Sequence, residues 1–321
     1  MYVNSYIILA IFFLPTRIQY AGFIFVEIRS KNVEFTEWFE EAQFSEYHRV
    51  ISVEYFMRDL APHVWPPEKR FGFCFQLATS GTLCELKQGN PFKNFWDELN
   101  VDFAEIIRHS VSYQWTDKWK TEFPIEKYPV IALKGAPASF PIKKDHMALQ
   151  KFMHFSDKIR LEAEGLLEKH FGSVQFDYVG VHLRNNVDWK SACEGVTENT
   201  FTPYMSSYQC HDWDYSKKLS KQMCYPSTQE ILELTRNVLK QESLTKLLIA
   251  TDKFSLVREF KEFLDPNVVI VHPDPWLPVV DIYLLSHSRH FIGNCISSFS
   301  AFVYRQRKMH DLGPTSHFGV K

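Results

Sequence analysis

Tyr178-Val179-Gly180-Val181-His182-Leu183-Arg184-Asn185-Asn186-Val187-Asp188-Trp189 decides how this chain folds. An apolar run of strand length gives way abruptly to polar residues, as a buried parallel strand does when it delivers side chains into the loop at its carboxyl end. Toward the C-terminus the same rhythm repeats. The spacing predicts helices over 228–241, 255–263, 279–286 and 298–307, and strands over 247–250, 268–271 and 290–292. The first of these helices carries its own start signal. Ser227 with Glu230 three residues on forms a capping box, and Ile231, Leu234 and Val238 follow on one face. Strands alternating with helices imply a parallel, doubly wound sheet.

Toward the N-terminus the pattern is less regular but of the same class. Strands are predicted at 49–53, 70–75 and 130–133, and a long helix over 147–170. Pro-rich turns at Trp65-Pro66-Pro67 and Gly135-Ala136-Pro137 punctuate this half, and the domain boundary is expected near 172–177. The expected organisation is α/β throughout. A segment 1–32 precedes an N-terminal domain over 33–176 and a C-terminal domain over 177–321, with a ligand cleft between the two domains.

A chain of 321 residues with 45% hydrophobic and 23% charged residues can bury a large core. Its 36 Lys and Arg against 38 Asp and Glu leave a formal charge of −2, without the basic excess that draws proteins to nucleic acid. The 28 Phe, 8 Trp and 14 Tyr exceed what a small core needs, so some are expected to line an apolar or sugar-stacking cleft. The apolar run 7–14, followed by Pro15, has the length of a signal-peptide core or a buried strand and is too short to span a membrane. The chain stops at Phe318-Gly319-Val320-Lys321, which is not an endoplasmic-reticulum retrieval tetrapeptide.

Six cysteines, Cys74, Cys84, Cys193, Cys210, Cys224 and Cys295, lack the spacing of a zinc or redox motif. An even count fits three disulfides in an oxidising compartment, with six buried thiols as the alternative, and spacing alone does not choose the pairing. No dinucleotide-binding fingerprint, Walker loop, serine nucleophile elbow or His-Glu-x-x-His helix occurs, which disfavours dehydrogenases, kinases, serine hydrolases and zincins.

Three strand ends carry candidate chemistry. After the strand at 178–183, Arg184 offers a bidentate fork for phosphate, and a structural pair with Asp188 is the competing reading. At Gly293-Asn294-Cys295-Ile296-Ser297-Ser298-Phe299 a strand passes through two serines into a helix, where hydroxyls and unpaired N–H groups favour an anion; plain N-capping explains the same serines. Asp281 stands near a helix start, placed either to read a guanine edge or simply to favour the helix dipole. Thr251-Asp252 after the strand at 247–250 resembles one end of a metal site but has no second acid nearby. These residues point to a phosphorylated, nucleotide-like ligand on the C-terminal domain.

The wording around these residues resembles the GDP-fucose protein O-fucosyltransferase 1 family, enzymes that fucosylate EGF-like repeats. The resemblance rests on Tyr47-His48-Arg49-Val50-Ile51-Ser52, Trp65-Pro66-Pro67-Glu68-Lys69-Arg70, Gly89-Asn90-Pro91-Phe92, Gly135-Ala136-Pro137-Ala138, Tyr178 through Arg184, Asp188-Trp189-Lys190 and His290-Phe291-Ile292-Gly293-Asn294-Cys295. It runs from about 33 to 319 and implies a GT-B-like fold of two Rossmann-like domains. By position in the motifs, Arg184 resembles the family's arginine on the β-phosphate and His182, beside Leu183, its neighbour at the nucleotide. Asp281 resembles the guanine-reading carboxylate, and Ser297, Ser298 and Phe299 resemble the segment that holds GDP. Asp188 would orient groups in the cleft, and no residue stands out as a general base.

The resemblance further implies disulfides Cys74–Cys84, Cys193–Cys224 and Cys210–Cys295, and inverting transfer of fucose from GDP-fucose to a Ser or Thr hydroxyl without a required metal. It implies EGF-repeat acceptors of the Notch type, a monomer and the lumen of the endoplasmic reticulum. One departure stands out. The family's first strand and its loop Gly-Arg-Phe-Gly-Asn-Gln, whose Asn touches donor and acceptor, have no counterpart in 1–32, so the N-terminal domain is expected to lack its first strand-loop unit. A catalytically impaired binder of EGF-repeat proteins is the alternative function.

Overall fold

The computed structural model describes residues 7–9, 35–77, 79, 81–89, 92–112, 115–133 and 142–320. The quoted stretches Asn90-Pro91 and 135–138, and most of 1–32, lie outside them. Contacts divide the chain into two units, residues up to 36 with 49–138, and 37–48 with 139–321.

The first unit is built on a four-stranded, all-parallel sheet. Its strands are β1 (Ile7–Leu9), β2 (Phe71–Phe75), β3 (Glu105–His109) and β4 (Val130–Leu133), in the order β1-β4-β2-β3. The expectation of a missing first strand is corrected here. Ile7–Leu9, within the apolar run at 7–14, pairs in register with 130–132 of β4 and supplies one edge of the sheet. β4 is buried along its whole length, as a strand covered on both faces must be. Val130 and Ala132 meet Phe56, Trp65, Leu86 and Trp96 on one face, while Ile131 and Leu133 meet Phe73, Val111 and Phe123 on the other. Gly72 lets β2 pack closely, because a Cβ there would stand 2.7 Å from a terminal methyl of Leu86, which would have to shift.

The predicted strand at 49–53 does not form. Ser52 instead accepts a hydrogen bond from the Tyr55 N–H at 3.2 Å and starts a helical segment through Val64 that widens to π geometry at Phe56–Leu60. Val50 and Ile51, the apolar residues that suggested a strand, are exposed.

The second unit carries a five-stranded parallel sheet. Its strands are β5 (Val179–Leu183), β6 (Lys246–Thr251), β7 (Val269–Val271), β8 (His290–Gly293) and β9 (Thr315–His317), in the order β7-β6-β5-β8-β9. The chain moves outward from β5 through β6 to β7, then returns to the other side of β5 for β8 and β9. The order therefore reverses between β5 and β8, the crevice where open parallel sheets take their ligands. One face of the sheet is closed by the helices Thr228–Glu242 and Val257–Phe263, with Ile231, Leu232, Val238 and Phe260 on Val179, Val181, Leu247 and Ile249. Ser227 caps the first of them by accepting from the Glu230 N–H at 3.2 Å, as the sequence predicts.

Against the sheet's other face lies the helix Pro278–His287, so close that a Cβ on Gly180 would meet the Ser288 hydroxyl at 2.9 Å. The helix Asp157–Phe171 in turn packs against Pro278–His287 and buries Ile159, Ala163 and Leu167. That packing moves the division of the chain to 138/139, ahead of the expected 176/177. The long helix predicted over 147–170 is two pieces, a 3₁₀ segment Lys144–Phe152 and Asp157–Phe171. The break falls where Phe155 forms a bridge with Phe39 and Ser156 caps the second piece.

Cys74–Cys84 is bonded in the first unit, and Cys193–Cys224 and Cys210–Cys295 in the second. No helix among the described residues is long and apolar enough to cross a membrane.

Candidate functional site

The carboxyl ends of β5 and β8 bring most of the predicted residues together. From β5, His182 and Leu183 are buried and Arg184 stands at the mouth, its side chain 19% exposed. Asn186 caps the short helix Val187–Glu194, and its first turn places Asp188 and Trp189 beside Arg184. Asp188 accepts from Arg184 Nη2 at 2.8 Å, Asp252 at the end of β6 pairs with Nη1, and the guanidinium lies 4.9 Å over the Trp189 ring. The Asp188 pair exists, and of the five N–H donors on a guanidinium some remain for an incoming anion.

From β8 the chain turns through Asn294 into the helix Ser298–Met309. Asn294 is the pivot of that turn. Its Oδ1 accepts from the N–H groups of Ile296 and Ser297 at 3.0 and 3.1 Å, and its Nδ2 donates to the Cys224 carbonyl at 2.7 Å. Gln209 Nε2 gathers the carbonyls of Asn294, Cys295 and Ser297 from beneath. Cys193–Cys224 and Cys210–Cys295 fasten the same turn to its surroundings.

Ser297 occupies the N-cap position without turning its hydroxyl onto the first turn. The backbone N–H groups of Ser298, Phe299 and Ser300 therefore have no cap among the described residues and point positive charge outward. Ser297 is buried, Ser298 exposed and Phe299 half-buried.

His182 ties the two strand ends together. Its Nδ1 is 2.7 Å from the Ser300 hydroxyl, which accepts from the Asn294 N–H at 2.9 Å, and its ring stacks on Phe299 with centroids 4.5 Å apart. Burial, aided by the Arg184 charge, lowers its pKa to about 3, so the ring is a neutral hydrogen-bonding group. A pocket of about 190 Å³ opens here, walled by His182, Arg184, Asn185, Phe254, Leu256 and Asn294.

Asp281 stands apart from this group, in the first turn of Pro278–His287. Its Oδ1 is buried without a hydrogen-bond partner among the described residues. Burial, reinforced by Asp274, raises its pKa well above the usual carboxylate range. An unpartnered buried carboxylate of this kind suits a ligand that brings two N–H donors.

Asn185, Gln209, Asn294 and Ser300 are the members that sequence reasoning missed. Only Asn294, in the turn after a strand-terminal glycine, carried a local signal; the others act on partners far along the chain. Among the described residues no group of three His, Cys, Asp or Glu side chains is placed to hold a metal ion.

Comparison with known proteins bears on this arrangement. Residues 20–310 match the family model described as GDP-fucose protein O-fucosyltransferase, a match that begins inside the segment 1–32. A Caenorhabditis elegans relative, GDP-fucose protein O-fucosyltransferase 1, is 31% identical over 320 residues, covering 92% of this chain and 81% of its own. A Pan troglodytes GDP-fucose protein O-fucosyltransferase 2 is 27% identical over 189 residues, 54% of this chain. Crystal structures of POFUT1 superimpose closely. The complex with GDP-fucose has a TM-score of 0.85 at 30% identity, covering 93% of this chain and 87% of that one. The complex with GDP has a TM-score of 0.84 at 31% identity, covering 92% and 87%.

Proposed function

The chain belongs to the GDP-fucose protein O-fucosyltransferase family, and from that premise we propose that it transfers fucose from GDP-fucose, with inversion at C1, to a Ser or Thr hydroxyl of an EGF-like repeat. That it is a glycosyltransferase follows from the family. The observation that carries the finer reading is Arg184 at the point where strand order reverses, with the neighbouring strand β8 leading into a helix whose N-cap side chain leaves its first N–H groups uncapped.

In this reading the acceptor oxygen forms a bond to C1 as the bond from C1 to the β-phosphate oxygen breaks. The leaving GDP gains negative charge while the sugar becomes oxocarbenium-like. Arg184 and the N–H groups of 298–300 meet that charge where it develops, so they act in the transition state more than in the ground state. Asp188 holds the Arg184 fork from the side. Neutral His182, on β5 beside Leu183, positions Phe299 and Ser300 around the nucleotide without adding a charge of its own. Ser297 and Ser298 supply hydroxyls at the same turn. The Asp281 carboxylate accepts from N1–H and N2–H of guanine, which would satisfy the oxygen left bare in the donor-free protein.

No metal is required for this chemistry. The acceptors are EGF-repeat proteins of the Notch type, the working unit is a monomer, and the compartment is the lumen of the endoplasmic reticulum. The three disulfides support an oxidising compartment.

The test is turnover of GDP-fucose by protein made in an oxidising host, with a folded EGF-like repeat as acceptor. Arg184→Ala is expected to lower kcat by about 10²–10³-fold, the loss seen when one preorganised donor is removed. Absence of transfer by the unaltered chain, or full transfer by the variant, would sink the reading.

A further inference from the structure

Asp252 follows directly on β6 and touches both the cation of the site and the backbone beneath it. β5 and β6 run in register with Leu183 opposite Thr251, so Arg184 and Asp252 leave the sheet side by side. The two oxygens of this carboxylate do different things. Oδ2 pairs with Arg184 Nη1, and Oδ1 accepts the Asn185 N–H at 2.8 Å. Asn185 is itself fixed, with its side chain donating to the Phe254 carbonyl at 2.7 Å and accepting the Phe254 N–H at 2.9 Å.

We propose that Asp252 is a positioning residue for Arg184, a splint that fixes both the guanidinium and the peptide that carries it, so that the N–H groups left over are aimed at the diphosphate before it arrives. The inference rests on the donor-site reading of Arg184 above.

The sign of the effect is diagnostic. A carboxylate near a diphosphate repels it, so simple electrostatics would make GDP bind more tightly once the charge is gone. A splint predicts the opposite, because an unanchored arginine must be ordered by the ligand itself.

The experiment is a double-mutant cycle on the full chain, with GDP as probe in calorimetry. Asp252→Asn keeps an acceptor for the Asn185 N–H while removing the charge that holds Arg184. It is expected to weaken GDP about tenfold in the otherwise unaltered chain, within the range found for coupled pairs, and by less than about twofold when Arg184→Ala is already present. Equal losses in both backgrounds would mean a merely structural residue and overturn the proposal, as would unchanged or tighter binding. Failure of the unaltered chain to bind GDP would overturn the donor-site reading and this inference together. Binding that depends on Arg184 but shows no coupling would overturn this inference alone.

Discussion

The sheet of the first unit is packed with rings, Phe56, Trp65, Phe73, Trp96 and Phe123, whereas the sheet of the second is packed with branched aliphatics, Val179, Val181, Leu247, Ile249 and Ile292. Both sheets are parallel and covered by helices, so the difference is one of material and finish. Aliphatic strands make a regular platform, and the residues just beyond the strand ends in the second unit include Arg184, Asn294 and the start of an uncapped helix. Large rings fill space by tilting against one another, as Trp65, Trp96 and Phe103 do at centroid separations of 5.0–6.5 Å, and they tolerate short, irregular helices around them. Regularity of the core and precision of the site go together in this molecule.

The sharpest way to break that comparison is to open one disulfide in each unit. Cys210–Cys295 closes 85 residues and Cys74–Cys84 closes 10, and loop-closure entropy assigns them about 4.6 and about 2.7 kcal/mol. Replacing both cysteines of a pair by Ser is expected to lower stability in that order in denaturant titrations. The first replacement is also expected to weaken GDP binding, because Cys295 sits in the Asn294 turn. The second should leave it within about threefold. Equal effects on GDP would mean that the turn is held without its disulfide.

A pH-dependent effect, absent at neutral pH, comes from the buried histidines. Burial holds His182 at a pKa of about 3 against 6.5 in the unfolded chain, so the unfolded state takes up the proton first as pH falls. Stability is therefore complete above about pH 6.5 and declines toward pH 3, by at most about 1.4 kcal/mol per pH unit. His182→Gln is expected to flatten that slope in melts between pH 7 and 4. His109 of the first unit is lowered by burial too, with Glu122 acting in the opposite direction. His109→Gln should flatten the slope less.

The smallest effect concerns Asp281. Its folded-state pKa is raised, so the stability penalty for ionising it grows as pH rises from the unfolded value through the folded one. Asp281→Asn is expected to stabilise the donor-free protein at pH 7 by about 1 kcal/mol while reducing the preference for GDP over ADP. Loss of stability with unchanged nucleotide preference would place Asp281 among structural residues.

Legibility in the sequence follows the same divide. Every strand predicted after 176 forms, because runs such as 247–250 and 268–271 are apolar without interruption and Ser227 announces the intervening helix. Thr315–His317, polar and at the edge of the sheet, was invisible. In the first unit Glu105–His109 went unseen because Glu105 and Arg108 break the apolar run, and 49–53 misled because β-branched residues stand there exposed. For the site, the placement of Arg184 and Ser297 just beyond strand ends could be read locally. The roles of Asp252, Ser300 and Gln209 could not, since each depends on a partner that the fold brings from far along the chain.

β5 and β8 lie side by side, with Val179 opposite His290, although more than a hundred residues of chain run between them. Pairing across so long an excursion is slow and comes after local structure has formed. The crevice between β5 and β8 is thus among the last features of the second unit to exist during folding. A molecule that has acquired helices and most of its sheet but not this pairing would have His182 and Ser300 on separate pieces, and would be blind to nucleotide. Capture on immobilised GDP would in that case select finished molecules from a refolding mixture, and the time course of capture would report the closing step of the fold.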